Sequence, residues 1–290
     1  MPAAVYVFLL LILFAFGLLL GSFLNVCIYR LPRGKSLLSP RRSYCPICHE
    51  TIRWYDNIPL FSYLYLGGLC RHCASRIAAR YFFVELLTAC VIVLCFHVLQ
   101  ARDESAGVIV VYAATTCVLI VATFIDIDLR IIPDEITIGG MFAALLLCAI
   151  FPGVHDKPEH GRALLLMPLL KHRSLGALAA ALAGMLLGSF LIYASGVLGK
   201  FVFRREAMGL GDVKYMAFLG AVLGWKQVLF TFLLAPVLGV VVGLVQLLRS
   251  GEHRLPYAPY LSLAAVTVML AGRNILAFLG LETLLVPFRW

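Results

Sequence analysis

The sequence predicts an all-α protein that crosses a lipid bilayer about eight times, with a small polar domain inserted between the first two helices. Three observations carry this. The 290 residues are 62% hydrophobic and 13% charged, with a mean hydropathy of +0.96, against about half apolar and a quarter charged in soluble domains. A water-soluble core cannot absorb that much apolar surface, and a disordered chain would not carry it. The apolar residues also fall into separate runs, most of them near the length that spans a hydrocarbon core. Finally, the net charge of +9 is concentrated in a few polar stretches.

The first run, Val5 to Leu24, has no basic segment before it and no small-residue cleavage site after it, so it reads as a retained anchor. Residues 1–29 are assigned to this first transmembrane helix. Residues 30–80 form a polar, turn-rich domain with Pro32, Pro40, Pro46 and Pro59, four cysteines and nine Lys or Arg. Apolar runs resume at Tyr81–Leu99, Gly107–Ile125, Ile136–Pro152, Leu175–Val197, Val213–Gly224, Val228–Leu248 and Tyr260–Gly272, making 81–290 a seven-helix domain. The boundary between the sixth and seventh spans reads as a tight turn around Trp225 and Lys226. In lipid these runs must be helical, since unpaired backbone groups find no partner there.

Alternating sides from the first span places 16 of the 24 Lys and Arg on the face that carries the cysteine domain, Asp126–Glu135, Leu198–Asp212 and Arg249–Pro259. By the positive-inside rule that face is cytoplasmic and the N-terminus lies outside. The segment 153–174, with His155, His160 and His172, becomes an exposed external loop whose histidine spacing matches no metal template. The basic excess argues for orientation and contact with membrane lipids, not for nucleic acid.

Five of the nine cysteines lie in or beside apolar runs and read as small buried side chains. The others form two knuckles, Cys45-Pro-Ile-Cys48 and Cys70-Arg-His-Cys73, with 21 residues between them. Four thiolates at this spacing suit one tetrahedral zinc, and a reducing cytoplasm disfavours the rival pair of disulfides. A four-thiolate site has no open position, so this metal would be structural. His49 and His72 sit beside ligands and could substitute for one, but with four cysteines available they read as solvated or as supporting the ligands.

Only 15 residues are acidic, and two clusters stand out: Asp126-Ile-Asp128 with Pro133-Asp134-Glu135, and Gly209-Leu-Gly211-Asp212-Val-Lys214. Both fall at the cytoplasmic edge of predicted spans. Two carboxylates sharing a poorly solvated site share a proton, so one acts as a base on water while the other polarises a carbonyl. That is aspartic-protease chemistry. Gly209 and Gly211 would let an extended peptide approach. The bland alternative has Asp126, Asp128 and Asp212 capping helices or pairing with Arg130 and Lys214. A further alternative is a non-enzymatic transporter or assembly factor with cation-binding carboxylates. A serine protease is disfavoured because Ser189 and Ser195 lack a placed histidine, and no His-Glu-x-x-His is present for a zinc protease.

The motifs together carry a resemblance. Gly21-Ser-Phe-Leu-Asn25-Val-Cys-Ile-Tyr-Arg30-Leu-Pro32, the two cysteine knuckles, Asn57-Ile-Pro-Leu-Phe-Ser-Tyr-Leu64 and Val84-Glu85-Leu-Leu-Thr88 occur in order. They are followed by Ile125-Asp126-x6-Pro133-Asp134, Gly209-Leu-Gly211-Asp212-Val-Lys214 and Leu255-Pro-Tyr-Ala-Pro259-Tyr-Leu. This set resembles the type IV prepilin peptidases, a family of Gly-x-Gly-Asp membrane aspartic proteases. The resemblance implies a bacterial inner-membrane enzyme of type IV pilus or type II secretion systems. It would cut the basic leader from prepilins and pseudopilins at the cytoplasmic face.

Matching the motif by position makes Asp126 and Asp212 the catalytic pair, with Gly209, Gly211 and Lys214 supporting the loop; Asp128 and Asp134 fall at other motif places. Members with the cysteine domain are commonly also N-methyltransferases using S-adenosylmethionine. Glu85 is the candidate for contacting that cofactor or the substrate amine, set against an ion pair with Arg80 or a neighbouring helix. Two departures are Phe82, where the family usually has Pro, and the wide separation of Asp126 and Asp212, whose excess falls in 153–174.

Overall fold

A computed structural model describes residues 2–37, 42–155, 173–204, 208–250 and 256–278. The described chain is helical: α1 (Ala3–Arg30), α2 (Phe61–Tyr65), α3 (Arg80–Gln100), α4 (Ala106–Leu129), α5 (Asp134–Ile150), α6 (Arg173–Phe203), α7 (Leu210–Ser250) and α8 (Ala258–Phe278). The only β pairing among the described residues is two isolated bridges, Tyr44 with Thr51 and Leu69 with Arg76. Among the described residues, five helical stretches are long and apolar enough to cross a membrane: Ala3–Arg33, Arg80–Gln100, Ala106–Leu129, Arg173–Val202 and Leu210–Val241. The helix Ala258–Gly272 is apolar but shorter.

The chain forms two compact units, Met1–Arg102 and Asp103–Trp290. In the first, α1 and α3 pack together, and α3 is grouped with the cysteine segment rather than with the later helices. Glycine makes their closeness possible. A Cβ on Gly21 would stand 2.6 Å from the Glu85 Cα, so a side chain there would force the helices apart. The polar segment starts as α1 ends, where Leu31–Arg33 tightens into a 3₁₀ turn and Gly34 takes φ 60.

In the second unit α4 to α8 pack around α7 and α8, whose facing residues Tyr215, Leu219, Leu261 and Ala265 are fully buried. α6 and α7 cross at Gly184 and Gly220, where a Cβ on either would collide with the other's backbone carbonyl. α7 is not one helix. Gly224 adopts φ 75, ψ 171 and interrupts it, one residue before the turn expected at Trp225–Lys226.

That break has a consequence for 153–174. His155 is not an exposed loop residue: it is fully buried, and its Nε2 donates to the Ala221 carbonyl at 3.0 Å on the turn that Gly224 interrupts. The Cys148 Sγ lies 3.3 Å from the same nitrogen. Burial pushes the imidazole down to about 4, so it sits there neutral. His160 and His172, also expected in that loop, lie outside the described residues.

Candidate active site

Asp126 sits in the last turn of α4 and is buried, with 6% exposure. Its Oδ2 accepts from the Ala258 backbone N–H at 3.0 Å. Ala258 opens α8, and the first N–H groups of a helix have no partner within it. The carboxylate therefore caps α8 from a residue 132 positions away, where the helix dipole also favours negative charge.

Asp212 occupies the first turn of α7, half-buried, and its Oδ2 accepts from the Gly209 N–H at 3.3 Å. A Cβ on Gly209 would lie 3.7 Å from that oxygen, and one on Gly211 would meet only Ile132, at 3.9 Å. The two glycines thus keep the approach to Asp212 uncrowded.

The dipeptide Tyr257–Ala258 lies near both carboxylates. Its second residue holds Asp126, while the phenol of its first feels the charge of Asp212. Burial and that charge push the Tyr257 hydroxyl up to about 12, so it remains a proton donor at any physiological pH. The oxygen is buried and has no hydrogen-bond partner among the described residues. The charges of Asp126 and Asp212 also act on one another.

Beneath the carboxylates, one helical turn along each element, lies a hydroxyl cluster. Ser262 Oγ donates to the Ala258 carbonyl at 2.7 Å. It accepts from Thr123 at 2.9 Å and from Tyr215 at 2.7 Å. Serine has one proton and two lone pairs, and here all three are used. The cluster ties α4, α7 and α8 together at the level that sets Asp126 and Asp212.

The other acidic candidates are placed elsewhere. Lys214 Nζ pairs with Asp134 Oδ1 at 2.7 Å, bracing the start of α7 against α5 rather than pairing with Asp212. Asp128 is exposed at the end of α4. Ser189 and Ser195 bond to carbonyls in their own helix. Sequence reading passed over Tyr257, Ala258 and Ser262. The first two stand inside Leu255-Pro-Tyr-Ala-Pro259, which attracted notice without a role, while Ser262 carried no local signal.

In the first unit Cys45, Cys48, Cys70 and Cys73 converge, with all four sulfurs within 4.8 Å of one another. The knuckles are built alike. Cys45 N–H donates to Glu50 O and Cys45 O accepts from His49, at 2.9 Å each; Cys70 repeats this with Ser75 and Ala74 at 2.8 and 2.9 Å. The turns close through positive φ at His49 and Ala74. Cys45 and Cys73 sulfurs are 3.9 Å apart, close to the ~3.8 Å edge of a thiolate tetrahedron built on 2.3 Å bonds. All four cysteines are free of disulfides. Backbone N–H groups draw the Cys45 thiol down to about 6, and the Ser75 hydroxyl lowers Cys73. Cys48 rises to about 11: the Glu50 N–H opposes the shift, but desolvation and the neighbouring sulfurs prevail. Four crowded sulfurs cannot all ionise alone, and a cation removes that conflict.

Glu85 is also buried, between α1 and α3, and accepts from the Leu60 N–H at 2.9 Å and from the Ser22 hydroxyl. One turn nearer the helix ends, Asn25 Nδ2 donates to the Tyr81 carbonyl at 3.0 Å. Its buried Oδ1 has no partner among the described residues.

Comparison with known proteins identifies the ancestry of both units. Residues 15–99 match the bacterial peptidase A24 N-terminal domain and residues 113–244 match the type IV leader peptidase family. A prepilin leader peptidase/N-methyltransferase of Aeromonas hydrophila is 33% identical over 91% of this chain and 91% of its own. The chain belongs to the type IV leader peptidase family. The similarly named protein of Myxococcus xanthus is 37% identical over 83% of this chain, which spans 64% of that relative's length. The "type 4 prepilin-like proteins leader peptide-processing enzyme" of Escherichia coli is 32% identical over 87% of this chain and 90% of its own. No solved structure matches the chain. The leader peptidase family membership disfavours the transporter or assembly-factor alternative.

Proposed function

We propose that this chain is a membrane-embedded aspartic endopeptidase that removes the leader from type IV prepilins and pseudopilins and N-methylates the new N-terminus. Asp126 and Asp212 are its catalytic pair. The observation that carries this is the buried Asp126 carboxylate held at the start of α8, with Asp212 near enough for its charge to act on Asp126 and on the adjoining Tyr257, in a chain of this family. One carboxylate, ionised, takes a proton from water as the oxygen attacks the scissile carbonyl. The other, protonated, donates to the carbonyl oxygen. Gly209 and Gly211 leave the substrate backbone room to lie against Asp212. Lys214 acts at one remove, through Asp134, by fixing the start of α7.

The four cysteines hold a structural zinc, for which their spacing and sulfur separations are suited. S-adenosylmethionine, when bound, supplies an electrophilic methyl group. The Glu85 carboxylate and the unpartnered Asn25 Oδ1 are two buried acceptors that suit a cationic group, either the sulfonium or the substrate amine. The charge distribution supports a bacterial inner-membrane location with the N-terminus outside, and with the cysteine segment and Asp126 and Asp212 on the cytoplasmic side.

The test is processing of a prepilin in membranes with labelled S-adenosylmethionine, which reports cleavage and methylation together. Asp126→Asn and Asp212→Asn should each slow cleavage by about 10²- to 10⁴-fold, the loss expected when an acid–base partner is removed. Near-normal processing by either variant would overturn the assignment.

A further inference from the structure

The segment between α1 and α3 carries a continuous face of exposed aromatic side chains that neither catalysis nor the cysteine cluster explains. Trp54 is 80% exposed, Tyr65 70%, Leu64 67% and Phe61 62%. They are not scattered. Trp54 contacts Tyr55 with ring centroids 5.7 Å apart, and Phe61 stacks on Tyr65 at 6.1 Å. The Arg71 guanidinium joins the two pairs, 5.7 Å from the Tyr55 ring and 6.0 Å from the Tyr65 ring. Arg71 is itself held by both oxygens of Asp56, at 3.0 and 2.8 Å from its Nε. The bridge across the face is therefore a fixed, internally neutral pair, and Arg53, 5.9 Å from the Tyr55 ring, adds a cation at its edge.

The depth of this face is set by its attachment. Leu60, which opens α2, donates to Glu85 at 2.9 Å, and Tyr63 lies 5.6 Å from Phe82. Phe82 and Glu85 belong to the first two turns of α3, the end of an apolar membrane-spanning stretch. α2 thus lies level with the end of the spanning helix, where a bilayer changes from hydrocarbon to headgroup. Aromatic rings with a polar edge collect at that level, and short apolar helices lie flat there. Charge points the same way. Between Arg30 and Arg80 the chain has nine Lys or Arg against Glu50 and Asp56 alone, and basic residues near an anionic leaflet are drawn to it.

We infer that the Trp54–Tyr55–Phe61–Leu64–Tyr65 face is a bilayer-docking surface. It seats the cysteine segment in the headgroup region of the membrane that α1 and α3 cross and prefers anionic phospholipid. The inference rests on those two helices spanning the bilayer and not on any catalytic assignment.

Tryptophan quenching of the full chain in nanodiscs tests it, with the Trp54 signal taken as the difference between the unsubstituted protein and Trp54→Phe. In phosphatidylglycerol-rich discs, Trp54 should lose most of its emission to lipids carrying a nitroxide near the headgroup, and little to aqueous iodide. Replacing phosphatidylglycerol with phosphatidylcholine should shift the balance toward iodide. Phe61→Ser/Leu64→Ser/Tyr65→Ser should do the same while leaving cleavage and thermal unfolding of the rest intact. Full iodide access with no lipid quenching in the unsubstituted protein would overturn the docking surface, and that is the result expected if the face instead awaits a protein partner. Equal quenching in both lipids would overturn the preference for anionic headgroups.

Discussion

Ser262 shows how much one side chain can decide. Its single hydroxyl satisfies the Ala258 carbonyl, Thr123 and Tyr215, and Ala258 in turn holds Asp126. Ser262→Ala takes the partner from the buried Tyr215 hydroxyl and the half-buried Thr123 hydroxyl, so thermal unfolding should show a loss of about 1–3 kcal/mol, with slower prepilin cleavage. Ser262→Thr, which keeps the hydroxyl, should recover most of both. His155 makes a pH prediction. Its folded pKa of about 4 lies below the ordinary 6.5, so the unfolded chain binds the extra proton first. The stability it contributes is complete above pH 6.5 and is lost as pH falls toward 4, about 3 kcal/mol in all at 1.36 kcal/mol per unit. Unfolding midpoints measured across that window should be steeper in pH for the unsubstituted protein than for His155→Gln.

Among the elements, the contact between α6 and α7 is the least tolerant. Gly220→Val places a side chain against the Gly184 carbonyl, which belongs to backbone and cannot yield. Protease resistance and unfolding temperature in detergent should fall sharply, beyond the 1–3 kcal/mol usual for overpacking. Gly139→Ala on α5, where nothing lies within 4 Å, is the control and should change stability little or raise it slightly. The cysteine segment makes a separate prediction. Elemental analysis of protein purified without chelator should find about one zinc per chain, as a single four-thiolate site holds. Cys48→Ser or Cys73→Ser should lose it. A reduced, metal-free protein whose cysteine segment still resists protease would contradict this.

For the molecule as a whole, charge sets the expected orientation. Cysteine-labelling reagents that do not cross membranes should reach a residue introduced at Asp103, between α3 and α4, from outside. The same reagents should reach a cysteine introduced at Lys35, exposed in the polar segment, only after the membrane is permeabilised. The reverse pattern would invert the topology and place Asp126 and Asp212 on the wrong side for leader cleavage at the cytoplasmic face.

Composition and spacing by themselves determined the membrane class, the helical architecture and the four-cysteine cluster, because each depends on local rules. Twenty apolar residues must be helical in lipid, and two Cys-x-x-Cys turns bring four sulfurs together by short-range geometry. Asp126 and Asp212 were likewise visible as candidates, since carboxylates are scarce beside long apolar runs. Tertiary structure alone decided what holds them. The Ala258 N–H that holds Asp126 and the Ser262 hydroxyl come from α8, and the Tyr257 phenol from the residue just before it, far along the chain. His155 was misplaced for the same reason: its burial follows from a carbonyl exposed at a break in α7, 66 residues away. Periodicity and spacing report which residues share a helix face. They carry no information on which helix ends meet, because that is set by packing at positions such as Gly184 and Gly220.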